Sequence, residues 1–317
     1  MRSPGAPLYR VAEGPPLPDG EAQWVTARSG RRLRAVRFEP AGTPRGTVVV
    51  STGRTEPLEK YGEVATELVA RGYVALLHDW AGQGLSARFG PDPMRGDVIG
   101  GPDALLDDYH DVLAAFDAEL PRPWLALAHS MGGALTALDL IQGESRFAGA
   151  CLCSPMLQFS VGKLPFSVVR TVVKVANLGG RGGELARREA DPVDITFEQN
   201  LLTHDRGRFE RTRALYRAHP ELQLGAPTWR WLSFAVSLRD RLLEPGAAAR
   251  IACPVACVGA GNDRIVESST IRDFCARIPR GAYTEVPGAY HEILMERDER
   301  RALLFRVFDE LAERTRG

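Results

Sequence analysis

The stretch Trp124-Leu125-Ala126-Leu127-Ala128-His129-Ser130-Met131-Gly132-Gly133 carries the key to the whole chain. Residues 124–128 form a short unbroken apolar run, as suits a strand buried on both faces. Residues 132–141 then take the spacing of a helix. A serine at such a junction sits on a sharp, strained turn, which needs small residues two positions before it and two after. Ala128 and Gly132 meet that need; Ala128 stands where glycine is commonest, and its methyl is a modest obstacle. A serine among glycines is more often a plain turn residue, so the flanking pattern gives the motif its meaning.

The same rhythm recurs outward from this junction. Upstream, 47–51 is an apolar run, 61–71 has helical spacing ended by Gly72, 74–77 is apolar again, and 104–120 reads as an amphipathic helix. Downstream, 151–153 makes the next strand, and after a long interruption strand, helix, strand and helix resume at 254–258, 268–278, 283–286 and 296–313. Ahead of them all, 23–27 and 33–38 alternate like half-buried antiparallel strands and predict an opening hairpin. Repeated strand and helix units predict an α/β fold with a mostly parallel sheet covered on both faces. The interruption, 155–245, shows mixed helical patterns, the cluster Gly179-Gly180-Arg181-Gly182-Gly183 and no clear strand. It is too long for a loop and reads as a helical cap inserted into a core of 21–154 and 246–317, behind a loose leader over 1–20.

With 317 residues, 44% of them hydrophobic, the chain can bury a substantial core. Forty Lys plus Arg offset forty Asp plus Glu, which disfavours a polyanion, so no nucleic-acid partner is expected. The leader is rich in Pro and Gly without an apolar h-region, and no run of about 18 apolar residues occurs, so neither a secretory signal nor a membrane span is expected. The expectation is a soluble, cytoplasmic protein, with a peripheral place at the inner membrane as its variant. Cysteines 151, 153, 253, 257 and 275 lie mostly in apolar runs and read as reduced, buried thiols. Cys151 and Cys153 share a strand face, but no second pair stands at zinc-site spacing, and no metal is expected.

A serine hydroxyl is a weak nucleophile and needs an imidazole as base, held in the right tautomer by a carboxylate. After a strand-to-helix elbow the order along the chain should be serine, then acid, then histidine. Gly261-Asn262-Asp263 follows the run 254–258, and Gly288-Ala289-Tyr290-His291 follows the run ending at Val286. Loops at the carboxyl ends of parallel strands converge on one crevice, so Ser130, Asp263 and His291 are the candidate catalytic set. Of the other five histidines, His129 adjoins the serine but is aimed elsewhere by the turn, His78 ends a strand too early, and His110, His204 and His219 fall on helices or in the cap. Asp240 and Glu267 are the rivals to Asp263. Negative charge on a tetrahedral intermediate calls for two backbone N–H donors: Met131, directly after the serine, and Arg54, in the loop after 47–51 where Gly53 lets the chain turn.

Several separate stretches then stand in a telling order: Gly53-Arg54-Thr55-Glu56 with Lys60-Tyr61, Asp79 with Gly82-Gln83-Gly84-Leu85-Ser86, 128–133, and 288–294. In these the chain, from about Trp24 to Leu311, resembles the bacterial lysophospholipase and monoacylglycerol lipase group of α/β-hydrolases. The cap stretch 200–231, with Thr203-His204 and Pro227-Thr228-Trp229, is similar to the lysophospholipase branch in particular. The resemblance implies an eight-stranded, mostly parallel sheet and hydrolysis of an acyl ester on a single-chain glycerolipid, through an acyl-enzyme and without cofactor or metal. Two residues depart from the pattern: Thr52 stands where many relatives have histidine, and Ala81 where they have arginine. A general carboxylesterase or thioesterase is the rival within the enzyme class, and a catalytically silent ligand-binding protein on this fold is the rival outside it.

For the substrate, Phe166, Val168, Val169, Val172, Val173 and Val175 surround Arg170 and Lys174 on one helix. That helix suits an acyl tunnel, a transient contact with a membrane surface, or plain packing of cap on core. Trp229 and Trp231 suit tunnel walls or cap core alike. Phe166, Val169, Val173, Trp229 and Trp231 are therefore the candidate substrate-binding residues. Arginines 206, 208, 211, 213 and 217 suit either a phosphate headgroup or a solvated helix face, and the glycine cluster, with no strand before it, reads as a cap loop.

Overall fold

The computed structural model describes residues 2–90, 92–143, 145–160, 162, 164–186 and 195–315. Nine strands form one sheet: β1 (Arg2–Pro4), β2 (Gly20–Thr26), β3 (Arg32–Phe38), β4 (Thr47–Ser51), β5 (Val74–His78), β6 (Trp124–His129), β7 (Gly149–Cys153), β8 (Val255–Ala260) and β9 (Gly281–Val286), in the order β1-β2-β3-β5-β4-β6-β7-β8-β9. β1, β2 and β3 run antiparallel, and the strands from β5 across to β9 are parallel. The eight-stranded expectation is corrected to nine, because Arg2–Pro4 pairs with Gln23–Val25 at the sheet edge. The leader is not loose in other respects: Pro7 accepts from Arg34 at 2.9 Å, and the Tyr9 ring stacks on His219 at 3.7 Å. Proline and glycine content hid these ties, since they use backbone oxygens and one aromatic face.

The core helices are α1 (Gly62–Ala70), α2 (Gly101–Phe116), α3 (Ser130–Gln142), α7 (Ser268–Cys275) and α8 (Asp298–Arg314); α4 (Phe166–Leu178), α5 (Arg206–Ala218) and α6 (Trp229–Leu242) lie within 155–245. Strand alternation divides the core in two. Val49, Ala126 and Leu152 face Tyr109, Leu113, Leu135 and Leu138 of α2 and α3, while Val48, Val50, Leu125 and Leu127 face Val64, Leu68, Leu304 and Phe308 of α1 and α8. We take 155–245 as the cap proposed from sequence; residues 161, 163 and 187–194 of it lie outside the described residues. Its described part holds helices and only isolated bridges, such as Phe159 with Val266, and Phe234 and Leu238 of α6 join the core. All five cysteines are free thiols, four of them buried. No helix among the described residues is long and apolar enough to cross a membrane.

The chain passes from β4 to its neighbour β5 on one side and then returns to β6 on the other. The loops after β4 and β6 therefore flank a point where strand order reverses, the place at which such sheets open a crevice. Below it lies a buried ionic support. Arg34 on β3 is fully buried and donates to Asp79 at 2.7 Å and to both oxygens of Glu59 at 2.6 and 2.7 Å. Removing the cation would leave two buried carboxylates uncompensated, which costs about 3–5 kcal/mol. Arg34→Met should lower the urea-unfolding free energy by that amount; a loss below about 1 kcal/mol would show that the network is not structural.

Candidate active site

Ser130 begins α3 directly after β6 and holds φ at 50°, a left-handed conformation that is costly for any residue but glycine. The turn closes because its neighbours are small. A side chain on Gly132 would come within 2.5 Å of the backbone oxygens of Ser51 and Thr52, so glycine lets α3 press against the end of β4. Met131 lies in the first turn of α3, where backbone N–H groups have no partner inside the helix.

The three predicted residues meet. His291 Nε2 is 2.9 Å from Ser130 Oγ, and His291 Nδ1 is 2.8 Å from Asp263 Oδ2. An ionised carboxylate only accepts, so Nδ1 carries the proton and Nε2 accepts from the serine hydroxyl. Asp263 is fixed in turn by the N–H groups of Ile265 and Val266, which donate to Oδ1 at 2.8 and 3.0 Å. Burial alone would raise the Asp263 carboxyl, but His291 and those two N–H groups bring it below its ordinary value. The side chains of His291 and Asp263 are only 5% and 1% exposed, so the pair is shielded from competing water.

The rivals stand elsewhere. Asp240 pairs with Arg170 and Arg239 on the cap, and Glu267 is exposed at the start of α7. His78 touches Ser51 at 3.4 Å and is pushed down to about 3 by burial; His110 pairs with Asp139, and His204 with Glu296. His129 is buried, and its partners are the part that sequence reasoning missed. Its Nδ1 lies 3.0 Å from Glu56, whose carboxylate also accepts from Gly53 N–H at 2.5 Å, Tyr61 at 2.6 Å and Lys60 at 2.6 Å. Lys60 reaches on to Glu292 at 2.6 Å, beside His291. One buried carboxylate thus ties the loop after β4, the elbow and the histidine loop together. Glu56, Lys60 and Tyr61 all stand in a stretch that carried the family resemblance, which was the only signal for them.

Arg54 lies in the loop after β4, between Gly53 and Thr55, whose N–H groups are engaged by Glu56 and by Gln83 at 3.2 Å. Its guanidinium donates to Gly225 O at 2.6 Å and sits 4.9 Å from the Trp231 ring, so this one cap tryptophan is brought to the loop. Trp229 is half-buried. Phe166 packs edge-on against Phe159 with Arg239 over its face, and Val169 is half-buried. Val173 lines an open cavity of about 610 Å³ between α4 and α6 with Arg170, Lys174 and Asp240, a lining that includes none of Ser130, Asp263 and His291. Of the cap arginines, Arg208 is held by Glu63, Asp205 and Asp298, and Arg206 by Glu198.

Residues 42–298 match the family described as serine aminopeptidase, S33. The chain belongs to that family. This S33 hydrolase is 33% identical to lysophospholipase L2 of Escherichia coli K12 over 292 residues, covering 86% of this chain and 81% of that protein. It is 26% identical to human monoglyceride lipase over 310 residues, covering 90% and 93%. Among solved structures, a soluble variant of monoglyceride lipase from Saccharomyces cerevisiae with a substrate analogue superposes at a TM-score of 0.70 and 17% identity, covering 94% and 97%; the shared fold is that of the α/β-hydrolases.

The Glu56–His129 pair makes a pH prediction for the S33 hydrolase. Burial would raise Glu56, but Lys60 and His129 hold it well below 4.5; burial would lower His129, but Glu56 lifts it above 6.5. The carboxylate's contribution is complete above 4.5 and is lost as pH falls through its folded value, while the imidazole's is complete below 6.5 and is lost as pH rises through its own. The stability gap between wild type and Glu56→Gln should be widest between those limits and shrink on either side in urea melts. A gap that stays constant from about pH 4 to 8 would contradict the pair.

Proposed function

We propose that this chain is a serine ester hydrolase acting on single-chain glycerolipids, lysophospholipids or monoacylglycerols, with Ser130 as nucleophile, His291 as base and Asp263 as its orienting acid. The observation that carries the reading is one imidazole bonded to Ser130 at 2.9 Å on one side and to Asp263 at 2.8 Å on the other. Likeness along nearly the whole chain to proteins named lysophospholipase and monoglyceride lipase supports the substrate class.

The chemistry follows from the geometry. As Ser130 Oγ adds to the acyl carbonyl carbon, His291 Nε2 takes the hydroxyl proton, and ionised Asp263 steadies the imidazolium. The carbonyl oxygen becomes an oxyanion, met by the N–H groups of Met131 and Arg54. Collapse breaks the ester bond, and the departing glycerol oxygen takes the proton from His291. Water then adds to the acyl-enzyme with His291 as base, and a second collapse releases the fatty acid and restores the Ser130 hydroxyl.

The cap supplies the route to such substrates. Leu164 and, on α4, Val168, Val172, Val175 and Leu178 are all exposed, with Val175 and Leu178 at 63% and 78%. Val168, Val172, Val175 and Leu178, spaced four, three and three, share one face of α4. That face is the surface that rests transiently on a bilayer.

Ser130→Ala should abolish ester turnover, by on the order of 10⁶-fold in kcat, with an unchanged unfolding midpoint. Near-normal turnover would reject the nucleophile. Lysophosphatidylcholine and monoacylglycerol should give kcat/KM at least about tenfold above a short p-nitrophenyl ester and an aminoacyl anilide, which corresponds to about 1.4 kcal/mol of binding by the acyl chain. Equal values would favour a general esterase. Replacing Val172 and Val175 together by Asp should weaken vesicle binding by about tenfold or more while sparing a short soluble ester; unchanged vesicle binding would remove α4 from the membrane.

A further inference from the structure

The turn after β5 holds Gln83, a residue that the proposed chemistry leaves unused. Gln83 is 3% exposed, and its side-chain amide grips the loop after β4 twice: Nε2 donates to Gly53 O at 2.7 Å, and Oε1 accepts from Thr55 N–H at 3.2 Å. The first bond matters most. Gly53 C=O and Arg54 N–H belong to one planar peptide unit, in which oxygen and hydrogen point in opposite directions when the bond is trans. Whatever holds the Gly53 oxygen therefore aims the Arg54 hydrogen.

The turn that bears Gln83 is itself built to stay still. Gln83 N–H donates to Trp80 O at 3.1 Å, and Asp79 accepts from Leu85 N–H at 2.9 Å and from Leu58 N–H at 2.9 Å. Gly84 holds φ at 55°, and a side chain there would strike the Asp79 carboxylate at 2.1 Å. Arg34 fixes that carboxylate from below at 2.7 Å. On the other side of the loop, Thr55 holds φ at 68°, an unfavourable state for a non-glycine residue that needs neighbours to maintain it. The Tyr216 hydroxyl, from the cap, donates to Thr55 O at 2.6 Å and completes the grip.

We propose that Gln83 is the positioning residue of the oxyanion site: by holding the Gly53 carbonyl it turns the Arg54 N–H toward the oxygen that gains charge on attack by Ser130. The proposal rests on the serine-hydrolase reading above. It assigns the Gly82-Gln83-Gly84 turn to transition-state stabilisation, not to substrate binding. Because the ground-state carbonyl leans on this donor less than the oxyanion does, its loss falls on kcat and spares KM.

The test compares wild type with Gln83→Glu, which keeps the size and the acceptor but cannot donate to Gly53 O when ionised, and with Gln83→Met, which loses both bonds. Four quantities are read on each protein: kcat and KM for a monoacylglycerol, the inhibition constant of an alkyl trifluoromethyl ketone, and the affinity for a non-hydrolysable ether analogue. Removing an oxyanion donor outright costs roughly 10²–10³ in rate, and misaiming one should cost about tenfold to a hundredfold. Both variants should lose that factor in kcat, and binding of the ketone, whose hemiketal oxygen occupies the oxyanion position, should weaken by the same factor. KM and ether affinity should stay within about twofold. Among folded variants, two outcomes overturn the proposal: wild-type kcat and ketone affinity retained, or ether affinity falling in step with kcat, which is the mark of a site disordered as a whole. If Gln83→Met fails to fold, Gln83→Glu alone decides between these outcomes; if neither variant folds, Gln83 is structural and the proposal fails. Wild-type protein that hydrolyses no ester would instead sink the underlying reading, and that result is visible before any variant is made.

Discussion

A single imidazole with two hydrogen bonds is what the rest of the structure serves. His291 and Ser130 lie 161 positions apart, and Asp263 and His291 lie 28 apart, so their contacts exist only because β6, β8 and β9 run parallel and end along one edge. Each bond needs its partner held to a fraction of an ångström. The left-handed serine, the glycine pressed on β4 and the two N–H groups on Asp263 are the local devices that hold them.

Beneath these lies a second level of support made of buried charge. Glu56 gathers Gly53 N–H, Tyr61, His129 and Lys60, and Lys60 carries the linkage to Glu292. Arg34, Glu59 and Asp79 do the same for the turn that faces the loop after β4. Burying ions is costly unless every partner is present, so such clusters are weak devices for stability and better ones for specifying a single geometry. The cap is fastened to the histidine loop as well: Glu292 N–H donates to Leu202 O at 2.9 Å, and Thr203 donates to Met295 O at 2.7 Å. Cap and site therefore share their backbone contacts.

Much of this was legible in the residues. The run 47–51 coincides with β4, and the elbow at 128–133 could be placed because a buried strand and a helix leave few alternatives for the residue between them. Asp263 and His291 followed from strand order. The Glu56 hub was not legible, because polar residues in a loop look alike whether solvated or buried, and only the fold brings His129 to Glu56 and Glu292 to Lys60. The ninth strand escaped for a related reason: three residues at a sheet edge carry no periodic pattern, and their pairing depends on β2 being there. The cap aromatics were equally opaque, since Trp231 over Arg54 and Trp229 beside it have the same character in sequence.

The central claim is that the Ser130 hydroxyl is made reactive by His291, and covalent labelling tests it most directly. Wild-type protein treated with a fluorophosphonate and digested for mass spectrometry should carry one adduct, on Ser130, and His291→Ala should label far more slowly under the same conditions. An adduct on another serine, or equal labelling rates in the two proteins, would contradict the account.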